Sequence, residues 1–147
     1  MATVIYCDDF SEQLAKGVHN FDGTTHTFKL ALTNTAIATS VTNKAGITSE
    51  IAYTNISGGV NPTVSIGSTE TTGTMTIHGD EVVITATGTV PDFRYYALYN
   101  DSATSPADAL VISWDHGSTV SLTSGETFTI KFNNTSTNGT IMTVAHP

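Results

Sequence analysis

The chain has 147 residues, a net charge of −8 and an isoelectric point near 4.7, a length that fits one domain able to bury a core without staples. Its five cations, Lys16, Lys29, Lys44, Arg94 and Lys131, are scattered, which excludes nucleic acid as a partner because phosphate binding needs clustered Lys and Arg. A single cysteine, Cys7, excludes an internal disulfide framework and a four-cysteine zinc site. No apolar run approaches the ~18 residues that span a bilayer, and Asp8 and Asp9 arrive before a signal-peptide core could form. The expectation is a chain made in a cytoplasm, not exported, with no membrane partner. Charged residues make up 12%, about half the usual share, so either neighbours cover part of the surface or Thr, Ser and Asn supply its polarity.

One helix is expected, over Asp9–Gly17, with Asp9 as its cap, Phe10 and Leu14 sharing a face and Gly17 as a left-handed stop. At about two turns it needs tertiary packing to persist, as a plug under or beside a sheet. Strands follow. Thr25–Asn34 alternates, with Phe28, Leu30 and Leu32 facing one way; together with Thr127–Phe132, where Thr fills most of the intervening positions, it shows the pattern of a half-buried strand whose wet face carries stiff β-branched hydroxyls. Ala36–Asn43 reads as a strand edge or an extended loop, and Ile47–Ile56 as a weak strand entering the turn Ser57-Gly58-Gly59. Val64–Ile66 follows Pro62, which favours an edge. Met75–His78 and Glu81–Gly88 flank Gly79-Asp80 as a hairpin.

Phe93–Tyr99 reads as a central strand, with Phe93, Tyr95, Ala97 and Tyr99 on one face and Arg94, Tyr96 and Leu98 on the other. Asn100–Ala107 is a polar link to the Leu110-Ile112-Trp114 strand, and Asp115-His116-Gly117 is the turn after it. Val120 and Leu122 lead through the turn Thr123–Glu126 into a Phe128-Ile130-Phe132 strand, and Ile141–Val144 forms the last. Some eight short strands without linker or repeat predict an all-β fold, a single-domain β-sandwich over residues 1–147 with one short N-terminal helix. A jelly roll is the first choice and an immunoglobulin-like sandwich the second.

Little in the chain reads as chemistry. His19, His26, His78, His116 and His146 form no HxH or HxxxH pair and read as isolated turn and surface residues, with His146 frayed. Asp115-His116 and Asp80-Glu81 are the nearest groupings to a catalytic pair, but no G-x-S-x-G supplies a nucleophile. Asp8 and Asp9 would bind calcium weakly at best, and the glycines sit in turns rather than in a phosphate cradle. Cys7 reads as an inert small hydrophobe. Phe93, Tyr95, Tyr96, Tyr99 and Trp114 read as core, with Tyr96 and Trp114 the two rings most suited to an exposed sugar-stacking role. Neither an enzyme nor a cofactor is expected.

The runs Phe10…Leu14-Ala15-Lys16-Gly17, His19-Asn20-Phe21-Asp22 and Thr25-His26-Thr27-Phe28-Lys29-Leu30-Ala31-Leu32 resemble the start of a group of small virion proteins of tailed bacteriophages. Gly58-Gly59, Phe93–Asn100, Trp114-Asp115-His116-Gly117 and Gly125-Glu126-Thr127-Phe128-Thr129-Ile130 match later pieces of the same pattern, while Thr33–Thr76 departs from it. The resemblance implies a cement (decoration) protein on the capsid surface of a virion, made in the host bacterial cytoplasm. Its implied partners are the major capsid protein and copies of itself, trimers first and dimers second. The alternative is a tail-associated or carbohydrate-binding module. Since sandwich loops cluster at the ends, the expected contact loops are Asn34–Lys44, Gly58–Pro62 (with Gly59) and Asn100–Pro106.

Overall fold

The computed structural model describes residues 2–146. Its strands are β1 (Thr3–Tyr6), β2 (Phe28–Thr33), β3 (Thr63–Val64), β4 (Ile66–Thr71), β5 (Thr74–Gly79), β6 (Val82–Thr85), β7 (Val90–Thr104), β8 (Ala107–Leu122), β9 (Thr127–Ile130) and β10 (Gly139–Ala145). One helix, α1 (Phe10–Ala15), lies between β1 and β2. The strands form an antiparallel five-stranded sheet ordered β1-β8-β7-β2-β3, a three-stranded sheet β10-β5-β4 and a two-stranded sheet β6-β9. All three contribute to one continuous apolar core. The all-β sandwich with one short helix is therefore present.

Registers across the five-stranded sheet explain its two faces. Val4, Trp114, Tyr96 and Leu32 lie side by side, as do Tyr6, Ile112, Leu98 and Leu30; this large-residue face looks inward, where the Trp114 ring meets Phe132 at 5.5 Å and Phe28 stacks on Phe21 at 4.9 Å. The other face carries the small row Ser113, Ala97 and Ala31 beside Ile5. Small side chains there let the long loop between β2 and β3 lie close. It is tied down where the Thr33 hydroxyl donates to Thr48 O at 2.7 Å, and Ile37, Ile47 and Ile51 bury into the core.

Three expectations are corrected, two of them by that loop. Thr33 is fully buried, because the second face of β2 is covered rather than wet. The Thr/apolar alternation keeps its expected meaning in β9, where Thr127 and Thr129 are exposed and Ile130 is buried. Ile47–Ile56 forms no strand, only isolated bridges from Glu50 to Thr33 and from Ile56 to Ala86. Gly79-Asp80 is not a hairpin tip either: β5 pairs with β4 and β10, β6 pairs with β9, and the chain crosses between sheets at that point. The hairpin lies one strand earlier, at Thr72-Gly73, where both residues have positive φ (49° and 81°) as a type I′ turn requires.

Two long strands replace further expected loops. β7 and β8 form one hairpin whose tip is Ser105-Pro106, so Asn100–Thr104 and Asp115–Gly117 are strand rather than link and turn. Irregularities between Phe93 and Tyr95 and between Leu98 and Tyr99 break the strict alternation read from sequence. Phe93 thereby packs edge-on against Phe128 at 5.5 Å, and Leu98 and Tyr99 are both buried. α1 ends as expected at Gly17 (φ 73°). Asp9 sits at its N-cap position but makes no capping bond; its carboxylate instead bonds Gln13 Nε2 and the Cys7 thiol.

Candidate functional site

The sheet edges decide where this sandwich meets its surroundings. β1 is outermost in the five-stranded sheet and β10 outermost in the three-stranded one, and they do not pair. Val4 and Ala2 line a cleft of about 300 Å³ with Thr140 and Ile141, while Tyr6 lines a second of about 560 Å³ with Phe10, Leu14, Met142 and Val144. The two strands thus run alongside each other in the same sense, with a seam open between them. Val4 and Tyr6 belong by register to the inner face, beside Trp114 and Ile112, yet they are 38% and 63% exposed because no strand covers them. Neither Ala2–Cys7 nor Gly139–Ala145 contains a charged residue.

Charge elsewhere is arranged with less freedom. Every lysine and arginine is within ion-pair distance of a carboxylate: Lys16 with Glu12, Lys29 with Asp101 (2.8 Å), Lys44 with Glu50 (3.5 Å), Arg94 with Asp115 (2.7 Å) and Lys131 with Glu81 (3.5 Å). Five cations thus offset five of thirteen carboxylates, and the remaining eight supply the net charge of −8. Such a surface repels phosphate.

Beneath α1 lies a buried polar cluster that the sequence does not announce. His19, expected at the surface, is 6% exposed and stacked on Phe10 at 5.6 Å. Gln13 Nε2 donates to Asp9, leaving Gln13 Oε1 to accept from His19 Nε2 at 2.9 Å. Asn100 Nδ2 donates to Val18 O at 3.0 Å and to His26 Nδ1 at 2.9 Å, and faces His19 Nδ1 at 3.4 Å. Burial, reinforced by His26, lowers the His19 pKa from 6.5 to about 4. The Cys7 thiol, 2.9 Å from Asp9 Oδ1 and 3.2 Å from Val41 O, is pushed up to about 12 by burial and by that carboxylate. It is a protonated, inert thiol.

The groupings nearest to catalysis are otherwise engaged. Asp115 accepts both Arg94 bonds and the Gly117 N–H, which hold its carboxyl below the usual range, while the His116 ring lies edge-on to Phe128 at 5.0 Å. Asp80 accepts from Asn138 N, and Asp8 from Thr39. Among the described residues no group of three or more His, Cys, Asp or Glu is placed to hold a metal ion, and no helix is long and apolar enough to cross a membrane. Tyr96 and Trp114, the two candidate exceptions to core packing, are 6% and 7% exposed and stacked on each other at 5.4 Å. His146 is anchored through its backbone N–H to Gly73 O.

The expected contact residues fare unequally. Asn34, Gly58 and Gly59 are exposed, and Pro106 is half-buried at the β7–β8 tip. Lys44 is half-buried, its ammonium 5.4 Å from the centre of the Tyr99 ring. Asn100 is fully buried and corrects the expectation of an exposed loop there: its amide is spent inside the polar cluster. Glu50 joins two of the three loops, pairing with Lys44 and accepting from Asn61 Nδ2 at 2.7 Å and from Tyr53 OH at 2.8 Å. The seam residues Val4, Tyr6, Leu14 and Met142 were not expected. The available signal is Thr3-Val4-Ile5-Tyr6, a short uncharged alternation in a strongly acidic chain.

Comparison with known protein families, curated proteins and solved structures finds no match to this chain.

Proposed function

We propose that this chain is a decoration protein of a tailed bacteriophage, which binds the lattice of the major capsid protein at the virion surface and stabilises the head. The observation that carries the reading is the open seam, where two inner-face side chains, Val4 and Tyr6, stand exposed on an uncharged edge. An apolar, hydrogen-bonding edge of this kind suits coverage by another protein. The rest of the surface supports the same reading: Thr-rich faces carry small hydroxyls, which cost less to desolvate than Lys or Glu. The virion resemblance adds to it, since Phe10, Phe21, Phe28 and Trp114, which carry that pattern, all serve as framework in the core.

The carbohydrate-binding alternative needs an exposed aromatic platform, and burial of Trp114 and Tyr96 removes its best residues. The test mixes recombinant chain with expanded, undecorated capsids. Saturable binding at a fixed ratio to capsomers is expected, with a higher temperature of head disruption. Failure to bind heads, alongside normal recruitment to tails, overturns the assignment in favour of a tail protein.

A further inference from the structure

Sheet edges in this fold are protected except at one place. β3 has two residues and follows Pro62; β4 carries Glu70; β6 follows Glu81 and β9 precedes Lys131; β10 is interrupted by an irregularity between Thr140 and Met142. Short strands, Pro, charges and bulges are the usual devices that stop edges from pairing with other chains. β1 is itself short, at four residues, but carries no Pro, no charge and no bulge. It is uncharged, regular in its pairing with β8 from Thr3 to Tyr6, and outermost in its sheet.

We propose that β1 pairs antiparallel with β1 of a second copy across a two-fold axis at Ile5, joining the two five-stranded sheets into one. Three observations select a second copy as the occupant. The first is side-chain fit. A dyad at Ile5 sets Val4 of each copy directly opposite Tyr6 of the other, so both exposed inner-face residues are covered in one step, as a cross-strand aliphatic–aromatic pair. The second is that an axis on a residue keeps the inner faces of both sheets on the same side, which continues the sandwich instead of inverting it.

The third is charge. Two chains of −8 repel, and the neutral stretch Ala2–Cys7 is where they approach at least cost. Antiparallel pairing about Ile5 offsets the two Asp8 residues by six positions, or ~20 Å at ~3.3 Å per residue, about twice the screening length of ~8–10 Å. Parallel pairing would instead set Asp8 beside Asp8. An isologous contact of this kind closes at two copies, so the edge favours a dimer over the three-fold assembly. The inference draws on the same Val4–Tyr6 edge as the capsid reading and makes a second copy its first occupant, while the mass of the isolated chain tests it separately from capsid binding.

The test measures mass by sedimentation equilibrium across a wide range of concentration, with wild-type chain and the variants Val4→Lys, Tyr6→Lys and Val83→Lys. Wild type is expected to be a dimer. Each lysine on β1 should weaken dimerisation at least ~10-fold, by removing the cross-strand pair and setting a charge in the seam. Val83→Lys, at a 53% exposed site on β6, should leave it unchanged. Near-ultraviolet circular dichroism checks that each variant keeps the Tyr96–Trp114 packing. Hydrogen exchange of the wild type gives a second readout that needs no variant: protection of the β1 amides should rise with concentration. A monomer at every concentration, a trimer, a dimer indifferent to both β1 lysines, or β1 protection that does not change with concentration would each overturn the proposal.

Discussion

Mild acid should weaken this protein through one residue. His19 sits among Phe10, Phe21 and Phe28 with its Nε2 donating to Gln13. A second proton would have to go on Nδ1, where it would meet the Asn100 amide, itself a donor. Geometry and burial therefore act in the same direction and hold the pKa near 4 against an ordinary value of 6.5. At 1.36 kcal/mol per pH unit, the gap between 6.5 and 4 amounts to about 3 kcal/mol. The unfolded chain takes the proton first, so this stability is complete above pH 6.5 and drains away as the pH falls towards 4.

Between about pH 7.5 and pH 5 the loss from His19 alone is about 2 kcal/mol. Urea unfolding at both pH values, followed by Trp114 fluorescence, measures it in wild type and in His19→Gln. The carboxylates titrate alike in both proteins and cancel, so wild type should lose about 2 kcal/mol more than the variant. Losses equal within about 0.5 kcal/mol would refute the reasoning, as would a His19 imidazole titrating near 6.5 by NMR in the folded protein.

Other positions separate packing from backbone strain. At Gly139 an added Cβ would lie 2.0 Å from Phe132 O, so Gly139→Ala should cost more than about 3 kcal/mol in the same unfolding assay. Gly117 has open space but a φ of +93°, so Gly117→Ala should cost only about 1–2 kcal/mol. Ile77→Ala, at a fully buried position, should lower stability by about 2–5 kcal/mol, while Val83→Ala should change it by less than about 0.5 kcal/mol. Native Cys7 should resist iodoacetamide at pH 8 and react at once in urea, as mass spectrometry would show; rapid native labelling would contradict its burial beside Asp9.

Where the sequence reading succeeds, local pattern and local environment agree. Phe28, Leu30 and Leu32 share one inward face, Gly17 stops the helix, and Ile130 buries next to the exposed Thr129. Where it fails, a partner far along the chain intervenes. Thr33 alternates like a wet-face residue but is sealed under the β2–β3 loop. Asn100 looks like a loop residue, yet the Leu98–Tyr99 irregularity turns it into the cluster with His19 and His26. Gly79-Asp80 carries a hairpin signal, yet β5 prefers β4 and β10, whose choice depends on how three sheets stack. Of the candidate site, the neutral β1 strand was visible as a composition, but its exposure was not.

The sequence by itself determines that this is an acidic all-β chain, because hydrophobic period and residue type act over a few neighbouring positions and survive any global arrangement. It determines equally that its cations are scattered and its single thiol has no cysteine partner within the chain. Only the tertiary structure decides which faces are wet, which histidine is buried and which edge stays open. Those properties depend on bringing together residues as far apart as Val18 and Asn100, which share a hydrogen bond, or Tyr6 and Met142, which line one cleft. Burial is set by what lies opposite, and a strand such as β1 cannot announce in four residues that nothing covers it.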